Sequence, residues 1–193
     1  MLQRLYNWTM DLANRKNAVW VLAAVAFVES SVFPIPPDVL LIPMILAARA
    51  RAWRYAAVCT IASVLGGMLG YAIGAVFYEG VGRPIMDLYG YSTKFLDFKT
   101  RYNEYGGWIV FIAGVTPFPY KVITIASGVT NLDFSTFAVA SVIARGMRFF
   151  LVATLLYWIG QPVRQFVEKR LGMVFIIFCI LLIGGFLSIK YLI

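Results

Sequence analysis

The sequence predicts an all-α polytopic membrane protein, built from two inverted, proline-broken re-entrant hairpins and about three transmembrane helices. Hydrophobic residues make up 61% of the 193 residues and charged residues only 13%, and the mean hydropathy is +0.80. The apolar runs extend well beyond the ~20 residues that a helix needs to cross the hydrocarbon core of a bilayer. Prolines interrupt two of these runs, which is the reason for expecting hairpins.

The whole chain, residues 1–193, is interpreted as a single membrane domain. Residues 1–17 form a polar lead in which Leu5, Trp8 and Leu12 share one helical face, which predicts an interfacial helix; a frayed terminus is the alternative. The formal charge of +8 comes from basic residues beside apolar segments, where topology and anionic headgroups explain them without nucleic acid. The chain has no histidine and two cysteines within apolar runs, so no cofactor and no metal site is expected.

The first apolar unit covers residues 18–48. As one straight helix it would measure about 46 Å, longer than the ~30 Å hydrocarbon core. Pro34, Pro36 and Pro37 remove amide donors near its middle and bias the preceding residues away from the helical conformation. The unit is therefore predicted to be a re-entrant hairpin whose tip contains these prolines.

A transmembrane helix is predicted at residues 55–78. Its glycines Gly66, Gly70 and Gly74 recur every four residues and form a smooth stripe for helix packing. The following residues, 79–106, are the longest polar stretch, with balanced charges and interleaved aromatic side chains. They predict an amphipathic segment near the lipid headgroups rather than a separate domain.

The second apolar unit covers residues 107–130 and is broken by Pro117 and Pro119, so it is predicted to be a second re-entrant hairpin. A transmembrane helix at residues 134–160 follows. After a basic patch, residues 172–193 are predicted to form a C-terminal transmembrane helix.

The two broken units resemble each other at an offset of 83 residues, which aligns "PIPPDVLLI" with "PFPYKVITI" and places Asp38 on Lys121. If both units are re-entrant, the N-terminus and the basic stretches 49–54 and 164–170 share one side, with nine Lys and Arg against five on the other. This bias predicts that they face the cytoplasm and that the hairpins enter from opposite faces. If either unit spans the membrane, the sides are reassigned.

Five ionisable residues, Glu29, Asp38, Lys121, Arg145 and Arg148, lie in the predicted membrane zone and sum to +1. Such groups are expected to face one another or a polar cavity. One hypothesis is that the three cations bind a phosphate headgroup and that Glu29 or Asp38 is a proton site, since the pKa of a buried carboxyl is tunable. The alternative is internal pairing of acids with Lys121 or Arg145, which serves only to dock the hairpins.

These residues resemble the DedA family of bacterial membrane proteins, also called the SNARE-associated or VTT-domain family. The resemblance covers about residues 27–160 and rests on "FVESSVFPIPPD", "GGMLGYAIG", "TPFPYK" and "ASGVTNLDFSTF", in that order. It implies two inverted re-entrant hairpins and translocation of lipids, including undecaprenyl phosphate, across the cytoplasmic membrane, with proton coupling left open.

The resemblance also implies roles for individual residues. Glu29 and Asp38 match the acids of the first hairpin, and Lys121 stands where the second of two arginines is usual. The first arginine is replaced by Val115 or Thr116. The chain is therefore interpreted as a short, divergent branch, and the departure affects the expected substrate more than the fold.

The leading functional hypothesis is a flippase that moves a phosphate-bearing lipid across the bacterial inner membrane, with membrane lipids as its partners. A scaffold without transport activity and a carrier of an ion or small solute are the alternatives. An enzyme is not expected, because the sequence lacks histidine, a cysteine cluster and a nucleophile motif. The oligomeric state stays open.

Overall fold

The structure is a computed structural model that describes residues 17–32, 36–84, 88, 92–116 and 118–160. Within these ranges it contains helices and turns but no strand, which confirms the predicted all-α class. The helices of ten or more residues in the same ranges are α1 (Ala18–Ser31), α2 (Asp38–Ala47), α3 (Ala52–Phe77), α4 (Ser92–Val115), α5 (Tyr120–Val129) and α6 (Phe134–Gly160).

Three predictions lie outside the described residues. They are the interfacial helix at residues 1–17, of which only Asn17 is described, the C-terminal helix at residues 172–193, and the tip prolines Pro34 and Pro117.

Helices α3 and α6 are each long and apolar enough to cross a membrane. Helix α3 continues a 3-10 turn and passes into a π turn, which gives a helical segment, Arg49–Gly82, of 34 residues; α6 has 27. In the most apolar windows of these segments only 44% and 33% of the residues are buried. The exposed side chains of α3 include a series of large apolar residues, Ile61, Leu65, Leu69, Ile73 and Val76. An apolar exterior of this kind suits contact with lipid.

The first proline-rich stretch separates α1 from α2. Helix α1 ends where the Val32 amide donates to the Val28 carbonyl at 2.9 Å, and α2 begins at Asp38, directly after Pro36 and Pro37. A helix begins readily after prolines because their missing amide hydrogens are not needed in its first turn. At 1.5 Å per residue, α1 and α2 are about 21 and 15 Å long, shorter than the ~30 Å hydrocarbon core.

The second break lies between α4 and α5. Helix α5 has ten residues and begins at Tyr120, after Pro119 in an extended conformation with φ −62° and ψ 95°. Helix α4 runs from the polar segment into the apolar one, so the boundary drawn in the sequence between residues 106 and 107 is not a break in the structure. Gly106 lies directly against Leu132, where a Cβ would overlap the leucine side chain. This close packing offsets the low helix propensity of the glycines at this point.

Helix α3 is the central helix of the described fold, and its glycine stripe lies against both α1 and α5. A Cβ on Gly66 would overlap the Phe27 carbonyl in α1, and a Cβ on Gly74 would overlap the Ile125 carbonyl in α5. Gly70 lies between them and close to both helices. The missing side chains therefore allow one helix of each broken unit to approach the same face of α3.

Candidate functional site

Four of the five ionisable residues in the membrane zone form two ion pairs between α6 and the first broken unit. Arg145 Nη2 lies 2.9 Å from Glu29 Oε2, near the end of α1. Arg148 Nη2 lies 2.6 Å from Asp38 Oδ2, at the start of α2. The two arginines are three residues apart on a helix and so share one face, which is directed at both carboxylates. The position of Asp38 in the first turn of α2 also places its negative charge at the positive end of the helix dipole.

The pair between Glu29 and Arg145 belongs to a buried network with two serines. Arg145 Nε donates to Ser63 Oγ on α3, and the oxygens of Ser63 and Ser30 are 2.7 Å apart. The Ser30 hydroxyl donates to Glu29 Oε2 at 3.0 Å, so the hydroxyl of Ser63 donates to Ser30. These hydrogen bonds form a chain from Arg145 through the hydroxyls of Ser63 and Ser30 to the carboxylate of Glu29.

Aromatic rings complete the surroundings of Arg145, whose side chain is only 1% exposed. Its guanidinium carbon lies 4.8 Å from the ring centroids of both Tyr120 and Phe149, distances at which a cation is attracted to a ring face. The Tyr120 hydroxyl is itself held by a hydrogen bond to Ser141. Arg145 is therefore fixed by neighbours from α1, α3, α5 and α6.

The pair between Asp38 and Arg148 is more open, with side chains 17% and 15% exposed. Arg148 Nη1 also donates to the Thr116 carbonyl at 2.9 Å, at the end of α4. Arg148 thus joins the first proline break, through Asp38, to the second break. Two atoms of the cluster, Asp38 Oδ1 and Arg145 Nη1, are buried and have no hydrogen-bond partner in the part of the chain that the structure describes.

Lys121 is the fifth charged residue, and it lies beside the first break, in no ion pair with the described residues. Its Nζ donates to the Val32 carbonyl at 3.5 Å, a long hydrogen bond. Among the described residues no carboxylate lies within 4 Å of Lys121, so the net charge of +1 in the cluster resides on this lysine. Thr124, one turn further along α5, donates to the Ser30 carbonyl at 3.2 Å. The start of α5 is thereby tied to the end of α1.

The internal pairing that the sequence offered as an alternative is present between Glu29 and Arg145. It is wrong for Lys121, which pairs with neither Glu29 nor Asp38, because each of these acids is paired with an arginine of α6. The role of Ser63 was not predicted: a serine in a glycine-rich helix carries no distinct signal in the sequence. Within the described residues no group of three His, Cys, Asp or Glu side chains is arranged to hold a metal ion.

An open groove of about 660 Å³ runs along α1 and ends at the cluster. Its lining is mainly apolar, with contributions from Trp20, Val21, Val25 and Val28, and it extends along α1 from Asn17 to Glu29. The groove therefore leads along an apolar face of α1 to one member of the charged cluster, Glu29.

These features define a helical membrane protein with a charged cluster between two proline-broken segments. The model of the VTT-domain family matches residues 33–158, which include both breaks and four of the five charged residues. The chain belongs to this family, the DedA family.

Two similar proteins come from the bacteria Haemophilus influenzae and Histophilus somni. The first is 36% identical over 170 residues, covering 88% of each chain. The second is 37% identical over 168 residues, covering 85% of this chain and 87% of the relative. Both are described as uncharacterized proteins, and no solved structure matches this chain significantly.

Proposed function

We propose that this protein is a transporter that moves a phosphate-bearing lipid, such as undecaprenyl phosphate or a phospholipid, across the bacterial cytoplasmic membrane. The observation that carries the proposal is Lys121, a cation without a carboxylate partner among the described residues, placed where the two breaks meet. An intramembrane cation of this kind favours an anionic ligand. The groove along α1 suits an acyl or prenyl chain, because its lining is mainly apolar and it reaches Glu29, a member of the cluster.

The proposal includes re-entrant hairpins formed by α1 with α2 and by the end of α4 with α5. The lengths of α1, α2 and α5, which are 14, 10 and 10 residues, support it, because none of them alone crosses a ~30 Å core. An inverted repeat then brings the two tips together near the midplane, with the N-terminus and the basic loops on the cytoplasmic side. The chain acts without catalysis, and its partners are membrane lipids.

In this proposal Lys121, Arg145 and Arg148 form the positive surroundings of the headgroup, and one of the two acids, Glu29 or Asp38, is the site through which protons act. Arg148 and Lys121 are the cations nearer to the edge of the cluster, so they are the expected direct ligands. Arg145 is buried, so in this proposal it attracts the headgroup through its charge without contacting it.

The test is translocation of a fluorescent lipid phosphate in proteoliposomes, with and without a pH gradient. Lys121→Gln is expected to lower the rate roughly tenfold or more, because one charge-assisted hydrogen bond to the headgroup is lost. Asp38→Asn is expected to abolish transport driven by the gradient. Lys99→Gln, a lysine change on α4 away from the cluster, is the matched control and keeps the wild-type rate. Wild-type transport by Lys121→Gln contradicts the assignment of the lysine, and no transport by folded wild type contradicts the function.

A scaffold without transport activity is the second candidate, favoured by the pairing of both acids with both arginines. If the pairs only dock the broken units, their neutralisation changes stability and nothing else. The transport assay separates the two functions, because a scaffold gives no translocation in any variant.

A further inference from the structure

Glu29 is held as a fixed counter-ion. Its Oε2 accepts hydrogen bonds from Arg145 and Ser30, and Ser63 closes the network between these two donors. The guanidinium that it neutralises is 1% exposed and keeps its proton at any physiological pH. Releasing Glu29 would leave a buried charge unpaired, which is strongly unfavourable.

Asp38 is held far less completely. Arg148 donates to its Oδ2, while Oδ1 is buried and accepts no hydrogen bond from the described residues. Both side chains of this pair are partly exposed, at 17% and 15%, so an incoming anion has access to Arg148. The second contact of Arg148 is a neutral carbonyl, that of Thr116, which does not neutralise the arginine. Asp38 is therefore the counter-ion of the two that can be exchanged.

We propose that the phosphate of the lipid headgroup and the carboxylate of Asp38 compete for Arg148, and that Asp38 takes up a proton when the headgroup binds. The inference rests on the proposed function and adds the residue that links headgroup binding to pH. The proton passes from water to the carboxylate, and Arg148 keeps all its protons while it exchanges one anionic partner for another. Lys121, which lies at the same junction, provides the second positive charge.

Among the charged and titratable groups around Asp38, Asp38 itself is the one that can take up this proton. Those that interact with it or share its neighbours are Arg148 and Arg145 on α6, Glu29 on α1, Cys59 on α3 and Tyr120 on α5. Lys121 on α5 lies at the other side of the first break, at the Val32 carbonyl. The arginines do not titrate, and Glu29 is engaged by two donors. An anion that competes with a carboxylate binds more tightly when the carboxylate is neutral, so headgroup affinity must fall as pH rises.

The experiment measures equilibrium binding of dihexanoyl phosphatidylglycerol to the purified full chain between about pH 5 and pH 8. The phosphodiester keeps a constant charge over this range, so any pH dependence belongs to the protein. Wild type is expected to bind more weakly as pH rises. Asp38→Asn, which is permanently neutral, is expected to bind roughly tenfold more tightly than wild type at pH 8 and to show no dependence on pH.

Asp97→Asn is the matched control, because Asp97 is an exposed acid on α4; this variant keeps both the affinity and the pH dependence of wild type. Glycerophosphoglycerol, which has the same headgroup without chains, distinguishes a lipid from a free phosphodiester. Binding of both probes with the wild-type pH dependence identifies the phosphate as the recognised group, and binding of the lipid alone identifies the lipid as the source.

A second readout uses wild type only and does not depend on the folding of a variant. The infrared difference spectrum on addition of the lipid is expected to gain the band of one protonated carboxyl group. Binding that is independent of pH, weaker binding by folded Asp38→Asn, or the absence of this band overturns the inference and leaves headgroup binding in place. No binding by wild type at any pH overturns the proposed function as well.

Discussion

Replacement of Glu29 by glutamine leaves the buried guanidinium of Arg145 without its carboxylate. The arginine is 1% exposed and cannot lose its proton, so its charge must stay buried in the folded state. Breaking a buried pair from one side costs about 3–5 kcal/mol. The amide oxygen of glutamine still accepts hydrogen bonds from Arg145 and Ser30, so we expect the lower end, about 3 kcal/mol.

The double variant Glu29→Gln, Arg145→Met tests whether the unpaired charge is the cause. Methionine fills much of the space of the arginine stem between Tyr120 and Phe149 without bringing a charge. We therefore expect the double variant to be more stable than Glu29→Gln alone, by about 1–2 kcal/mol.

The assay is reversible unfolding in mixed micelles, followed by circular dichroism. Asp97→Asn, at an exposed position on α4, serves as the control and is expected to stay within about 0.5 kcal/mol of wild type. A loss below about 1 kcal/mol in Glu29→Gln, or a double variant less stable than Glu29→Gln, would refute the argument that Glu29 is the fixed counter-ion.

Two further predictions use the same unfolding assay. Gly74→Ala brings a Cβ onto the Ile125 carbonyl and is expected to lower the free energy of unfolding by about 1–3 kcal/mol. Gly80→Ala is the control, because Gly80 has open space around it, and is expected to be neutral or slightly stabilising. Equal effects of the two changes would contradict the close approach of α3 and α5 at Gly74. Burial raises the pKa of Tyr102 to about 12, against a smaller opposing effect of its hydrogen bond to Ser127. The unfolded chain therefore loses this proton first, so stability is expected to fall between about pH 10 and pH 12, and less so in Tyr102→Phe.

The helical class and the places where the chain breaks are local properties, and for that reason the sequence predicts them. Composition alone indicates membrane helices, and α2 and α5 both begin directly after a proline, at Asp38 and Tyr120. The continuity of α4 through Gly106 was not predictable in the same way. It depends on Leu132, which is distant in sequence and packs where a side chain would otherwise lie.

The charged residues of the site were predictable, whereas the sequence left several pairings between them open. The spacing of Arg145 and Arg148 indicates one helical face, and the composition of the membrane zone indicates an excess of one positive charge. Which acid pairs with which cation depends on how α1 and α2 cross α6, and this is a property of tertiary packing. Ser63 is the clearest case, since it gains its role only because α3 brings it between Arg145 and Ser30.

The two broken units carry opposite charges, and this division bears on how they can move. Both acids of the cluster belong to the first unit, whereas Lys121 belongs to the second unit and both arginines to the helix that follows it. The residues of α3 that lie 83 positions before Arg145 and Arg148 are Ala62 and Leu65, which are uncharged. Each ion pair must therefore form between the two halves of the repeat. Any movement of one half against the other must therefore break an ion pair or exchange one of its partners. The exchange costs less at the pair of Asp38 and Arg148, because both side chains are partly exposed, so the charge that loses its partner is less desolvated than Arg145 would be.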